Sequence, residues 1–207
     1  MIRDEGLRER KKREARAAMS QAALRSALAE GLRAVSAESV AEQVGVSPRT
    51  FRNYVSSVEE AVVDGLAQRG LEVADALADR PADEPVWESL LVLLPEHATA
   101  LVGSRADAAG LFAMFEGSPA LVAHQLAAFV HVEARIAQVL AARLRVDPLA
   151  DPTPDVLAGT VMVAVRVAIG LWVRGHGENL PDLVRGCLTQ VRAGLPAPLP
   201  DPLPAQR

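Results

Sequence analysis

The sequence predicts an all-α protein of nine helices, and three observations carry that expectation. Half of the residues are apolar but only 3% are aromatic, and the bulk is Ala, Leu and Val, a mix that favours helix over strand. Apolar positions recur at helical spacing through the long segments, and no alternating strand pattern of useful length appears. The breaks between segments fall where Gly, Pro and Ser gather. With 207 residues the chain can bury a sizeable core as one large domain or two small ones.

The first helix is expected over about 7–32, with Leu24, Leu28, Leu32 and Val35 at helical spacing and Gly31 near its end. Its charged front, Arg8 to Arg13, is too polar for core. Ser36 can cap a short second helix carrying Val40, Ala41 and Val44 inward, and Gly45 suits a tight turn because glycine takes positive φ at little cost. Ser47 and Pro48 then read as N-cap and first residue of a third helix that ends near Tyr54. Ser57 with Glu60 three residues on has the form of a capping box, so a fourth helix should start near Val58 and run to about Ala78.

Five more helices are expected at roughly 86–102, 105–116, 119–145, 154–174 and 180–193, separated by turn-forming stretches. Prolines at 196, 198, 200, 202 and 204 predict a disordered tail, since such a segment cannot sustain helical hydrogen bonds. The expected domains are therefore 1–57, 58–195 and the tail 196–207.

The net charge of −4 is unevenly spread. Residues 1–57 carry 11 Lys and Arg against 7 Asp and Glu, a net of +4, while 58–207 carry 11 against 19, a net of −8. A basic front and an acidic rear point to an anion, such as nucleic acid, met by the front alone. Cys187 is the single cysteine, so no intrachain disulfide can form, which fits a reducing compartment. No apolar stretch follows the basic start, so no signal peptide is expected. The longest apolar run, Val156 to Val173, is interrupted by Arg166 and suits a buried helix better than a membrane span. The expected setting is the cytoplasm, with no membrane partner.

Residues 39–54 have the form of a helix-turn-helix. Val40, Val44, Val46 and Phe51 are spaced to pack the two short helices against the first long one, which leaves Arg49, Thr50, Arg52 and Asn53 facing out. Side chains at the front of such a helix reach base edges in a major groove: Arg donates twice to guanine, and Thr touches a thymine methyl or a base acceptor.

Val40-Ala41, Gly45-Val46-Ser47 and Arg49-Thr50-Phe51 with Tyr54, followed by Glu59-Glu60, resemble the DNA-binding signature of the TetR family of transcriptional regulators. The opening Gly6 to Lys12 resembles one actinobacterial branch of it. The resemblance covers about residues 6–65 and implies a nine-helix TetR-like architecture. It also implies Pro48, Arg49, Thr50 and Arg52 at the groove, and Ser36, Tyr54 and the Ser57–Val58 start of the fourth helix on phosphates. Helix N-termini suit phosphates because their free N–H groups point outward. Two positions depart from the pattern. Val55 stands where members often carry Phe, and Val58 where they often carry Lys, which removes one phosphate contact.

The rear segment is helical, apolar and acidic. The run from Val156 to Leu171 is apolar on most faces and so calls for cover on most faces. The resemblance implies a homodimer through the last two helices, which would place two recognition helices about 34–36 Å apart on a palindromic operator. A small apolar or amphipathic effector is expected in the rear, with Trp87, Leu91, Phe112, Phe115, Phe129 and Trp172 as lining and His124, His131 and Arg166 as polar candidates. Arg166 stands out because a lone buried charge needs a partner. Glu116 to Leu121 with Trp172 resembles a TetR subgroup whose sensor domain takes acyl-CoA-like ligands.

The sequence holds no H-E-x-x-H, P-loop, G-x-S-x-G or paired-cysteine motif, so neither an enzyme, nor a cofactor, nor a metal site is expected. His124 and His131 share a helix face but lack a third ligand at useful spacing. The competing expectation is a helical carrier of apolar ligands, or an interaction protein, whose helix-turn-helix is only scaffold.

Overall fold

The computed structural model describes residues 2–116 and 119–195, with side chains from residue 10 onward except 119 and 120. The predicted tail and the Gly117-Ser118 break lie outside the described residues. Among the described residues there are nine α-helices and no strand. In order they are α1 (Ile2–Glu30), α2 (Ala37–Gln43), α3 (Pro48–Tyr54), α4 (Val58–Ala78), α5 (Val86–Val102), α6 (Arg105–Glu116), α7 (Pro119–Leu144), α8 (Thr153–Val173) and α9 (Leu180–Arg192).

The first helix differs from expectation at both ends. It starts at Ile2 rather than near residue 7, since Gly6 costs a helix only about 1 kcal/mol and does not stop it. It ends at Glu30 because Gly31 takes φ 81°, and Leu32–Ala34 form a separate 3₁₀ turn.

α1 buries Met19, Ala22, Ala23, Leu24 and Ala27. Val40 and Ala41 of α2, Phe51 of α3 and Val55 complete this front core. α4 leaves the front and packs along α1 on one side and α7 on the other. Two glycines permit that approach. A Cβ on Gly65 would lie 2.6 Å from the Ser20 carbonyl oxygen, and one on Gly70 would lie 2.9 Å from Val132 Cγ1.

Behind α4, α5 and α8 both pack on α9, and α7 packs on α8. The turn from α4 to α5 is held by Arg143 of α7, whose guanidinium donates to the carbonyls of Arg80, Pro81 and Glu84 at 2.9–3.0 Å and to Ser89 Oγ at 2.9 Å. α5 contains Pro95, which lacks the N–H that would normally bond to the Leu91 carbonyl. Arg185 of α9 supplies the missing donor, its Nη1 lying 2.7 Å from Leu91 O. The helix therefore continues through its proline.

α8 is long and apolar enough to cross a membrane by length and composition. In this fold it is buried on one side only, through Ala158, Val161, Ala164 and Ala168. Its other side shows an apolar stripe in which Val156, Val163 and Val167 are 64%, 50% and 40% exposed.

Candidate nucleic-acid interface

Three serines start α2, α3 and α4. Ser36 forms a complete capping box with Ser39: its Oγ accepts from the Ser39 N–H at 3.0 Å, and its own N–H donates to Ser39 Oγ at 3.1 Å. Ser47 Oγ accepts from the Thr50 N–H at 3.1 Å, with Pro48 in the first turn of α3. Ser57 Oγ accepts from the Glu60 N–H at 3.1 Å at the start of α4. Each cap satisfies one of the N–H groups that a helix start leaves without a partner. Gly45 takes φ 72° between α2 and α3, in the left-handed region where a side chain is strained.

This framework fixes what α3 shows to solvent. Phe51 points inward and is 1% exposed, so the opposite face must point out. Arg49, Arg52 and Asn53 are exposed, while Pro48 and Thr50 are half-buried at the front of the helix. Thr50 Oγ1 is engaged with Ser47 Oγ at 2.8 Å. Tyr54 is half-buried and packs against the core with its aromatic body. Ser36 and Ser57 are half-buried at their helix starts; their hydroxyl oxygens accept from the backbone, which leaves each O–H free to donate.

Sequence reasoning missed one feature of this face. The Arg52 guanidinium forms an ion pair with Glu38 of α2. Glu38 is held below the usual carboxylate range, first by its own backbone N–H and then by Arg52. The two residues lie 14 apart on different helices, and no periodic pattern links them.

The predicted effector residues are distributed over α5, α6, α7 and α8. Trp87, Leu91, Phe112 and Phe129 are half-buried and pack against the main core, and Phe115 is half-buried on α6. Trp172 is buried. Its indole N–H points to the Glu178 carbonyl at 3.4 Å, and Arg105 sits over the ring at 5.4 Å from its centroid. Arg105 also donates to the Gly177 carbonyl at 2.8 Å, so this pair anchors the turn before α9.

Arg166 corrects an expectation. It is exposed, because α8 buries only one side and Arg166 lies beside Val163 and Val167 on the other. Its charge is solvated and needs no buried partner. His131 is exposed as well, and His124 is bonded to Asp64 of α4. A cavity of about 280 Å³ lies elsewhere, between the C-terminal ends of α4 and α7, lined by Ala78, Arg80, Arg135, Gln138 and Arg145 among others. None of the predicted effector residues reaches it.

A capped helix-turn-helix carrying exposed arginines on an all-helical body defines a DNA-binding regulator. Comparison with known proteins gives the family. The chain is 31% identical over 186 residues to the HTH-type transcriptional regulator TcmR of Streptomyces glaucescens, covering 86% of this chain and 81% of that protein. Residues 94–196 match the family described as MftR C-terminal domain (TetR_C_14). Among solved structures, a TetR-family regulator from Rhodococcus sp. superposes with a TM-score of 0.63 at 17% identity, over 87% of this chain and 97% of that one. Thermus thermophilus FadR, a TetR-family repressor solved in complex with lauroyl-CoA, superposes with a TM-score of 0.59 at 21% identity, over 90% and 98%. The chain belongs to the TetR family of transcriptional regulators, which are DNA-binding proteins and not enzymes. Regulators of this family bind DNA as dimers and bind small ligands.

Proposed function

We propose that this protein is a ligand-responsive repressor that binds a palindromic operator as a homodimer and is released by a small apolar or amphipathic effector. Residues 1–57 form the DNA-binding domain in this reading, and 58–195 the effector-binding and dimerisation domain. The observation that carries it is α3 itself, locked from behind by Phe51 and presenting Arg49, Arg52 and Asn53 to solvent. Arg49 and Arg52 read bases, Pro48 and Thr50 approach the groove, and Ser36, Tyr54 and Ser57 hold phosphates on either side. Arg52 must leave Glu38 to do so.

The outward stripe of α8 supports the dimer. Val156, Thr160, Val163 and Val167 follow one another at helical spacing on that face. Leu126 and Val130 of α7, 68% and 54% exposed, add to the apolar surface. The outward positions of α9 are polar, among them Arg185, Thr189, Gln190 and Arg192, so α8 supplies the apolar centre and α9 the rim. Such a helix suits a soluble cytoplasmic protein once a second copy covers it.

An acyl-CoA-like effector is the first chemistry to test. The support is the likeness of Glu116 to Leu121 and Trp172 to the acyl-CoA-responsive subgroup, although Gly117 and Ser118 lie outside the described residues. Phe112, Phe115 and Phe129 on α6 and α7 offer the apolar lining. A gel shift with the DNA upstream of the protein's own gene, repeated with lauroyl-CoA, tests the reading. Sequence-selective binding that lauroyl-CoA relieves is expected. Binding that lauroyl-CoA leaves unchanged removes the acyl-CoA assignment, and no selective binding at low salt favours the carrier alternative.

A further inference from the structure

The first half of α4 is gripped by charge as well as by packing. Asp64 bonds to two helices at once. Its Oδ2 accepts from Arg16 of α1 through Nε at 2.9 Å and Nη2 at 2.6 Å. Its Oδ1 accepts from His124 Nε2 of α7 at 3.0 Å. A carboxylate only accepts, so both partners supply the protons, and His124 must carry its proton on Nε2. The Asp64 side chain is 19% exposed, against 26% for His124 and 47% for Arg16, so the carboxylate is the most sheltered of the three.

The site lies at the join between the two halves of the molecule. Arg16 belongs to the helix against which α2 and α3 pack, and His124 to a helix of the rear bundle. The next residue, Gly65, brings α4 into backbone contact with α1 at Ser20, and Gly70 brings it against α7 at Val132. Packing as tight as this responds to displacement by switching rather than by stretching. The Arg16–Asp64–His124 clasp is a polar connection between α1 and α7.

We propose that Asp64 is the positioning residue through which the rear helices set the placement of α1, and with it of the recognition helix. A movement of α7 that withdraws His124 leaves Asp64 with Arg16 alone. α1 is then less firmly held, and α3 less well placed for DNA. The proposal rests on the regulatory reading above and adds the residues that carry the coupling.

The test uses the full-length dimer and an operator fragment selected from random DNA. Affinity is measured by fluorescence anisotropy, and thermal melting is recorded for every variant. His124→Ala, outside the DNA-binding helices, is expected to weaken operator binding roughly fivefold or more. Arg16→Met should weaken it similarly, and the double variant should be no weaker than the worse single one, because both act through Asp64. His124→Gln, whose amide N–H can replace Nε2–H, should restore wild-type binding. His124→Ala that binds like wild type, effects of Arg16→Met and His124→Ala that multiply, or a glutamine that fails to rescue would each overturn the proposal. A purely structural clasp would lower the melting temperature without this pattern of affinities, which also overturns it. A wild-type chain that selects no DNA sequence defeats the regulatory reading, and the clasp with it; variants that match a DNA-binding wild type defeat the clasp alone.

Discussion

The front and the rear of this molecule are held by different means. In the front, Ser36, Ser47 and Ser57 each cap a helix three residues away, and Gly45 turns the chain between two of those helices. In the rear, arginines tie together segments far apart in sequence. Arg185 reaches Leu91 across 94 residues, Arg105 reaches Gly177 across 72, and Arg143 reaches Arg80 across 63. Local bonds recur wherever the same short pattern occurs, whereas long-range ones depend on how the helices happen to pack. The front therefore tolerates little change in local sequence, and the rear can be re-tuned by moving a few long side chains.

The sharpest way to break this contrast is in the front core. Phe51→Ala should cost about 3–5 kcal/mol in denaturant unfolding, because it empties the space between α3, α2 and α1. A loss below about 1 kcal/mol would show that α3 is not locked from behind.

The rear offers a matching test on Pro95. Arg185→Ala leaves the Leu91 carbonyl without its donor and should cost about 1–2 kcal/mol. In a Pro95→Ala background the helix regains its own N–H, and the same change should cost less than about 0.5 kcal/mol. Equal losses in both backgrounds would show that Arg185 does not replace the missing proline bond.

A pH experiment separates the α4–α5 turn from the rest. Glu84 is held at about 2, first by the Arg80 guanidinium and then by the Ser89 hydroxyl. Its folded value lies below the ordinary 4.5, so its contribution is complete above that pH and is lost as pH falls from 4.5 through about 2. Glu84→Gln should flatten the fall in melting temperature over that window. An unchanged acid limb would remove Glu84 from the account.

The smallest effect lies on the recognition face. Glu38→Gln frees Arg52 and removes a negative charge near the phosphates, so operator affinity should rise about two- to threefold. Weaker binding would mean that Glu38 orients Arg52 for the groove rather than restraining it.

Much of the fold was legible in the sequence, for reasons the contrast explains. α3, α4, α5 and α6 fall where the caps, turns and periodicity place them, and α7, α8 and α9 end within a residue or so of expectation. The front's outward residues were legible because one buried aromatic, Phe51, fixes the helix face. The partners of these residues were not. Nothing local links Arg52 to Glu38, or Asp64 to Arg16 and His124, since each pair is made by helices crossing in space. Arg166 shows the same limit. An apolar run that shows outward Val156, Val163 and Val167 reads the same as one buried all round until its neighbours are known. Pro95 is different, because a proline inside a helical pattern already announces a free carbonyl four residues earlier.

The central claim is that α3 reads DNA through its arginines, and paired binding curves test it most directly. Arg49→Ala and Arg52→Ala should each lose about 1–3 kcal/mol on the selected operator and much less on random duplex of equal length. Equal losses on both duplexes would place these side chains on phosphates, and unchanged affinity on the operator would contradict the assignment of α3 as the recognition helix.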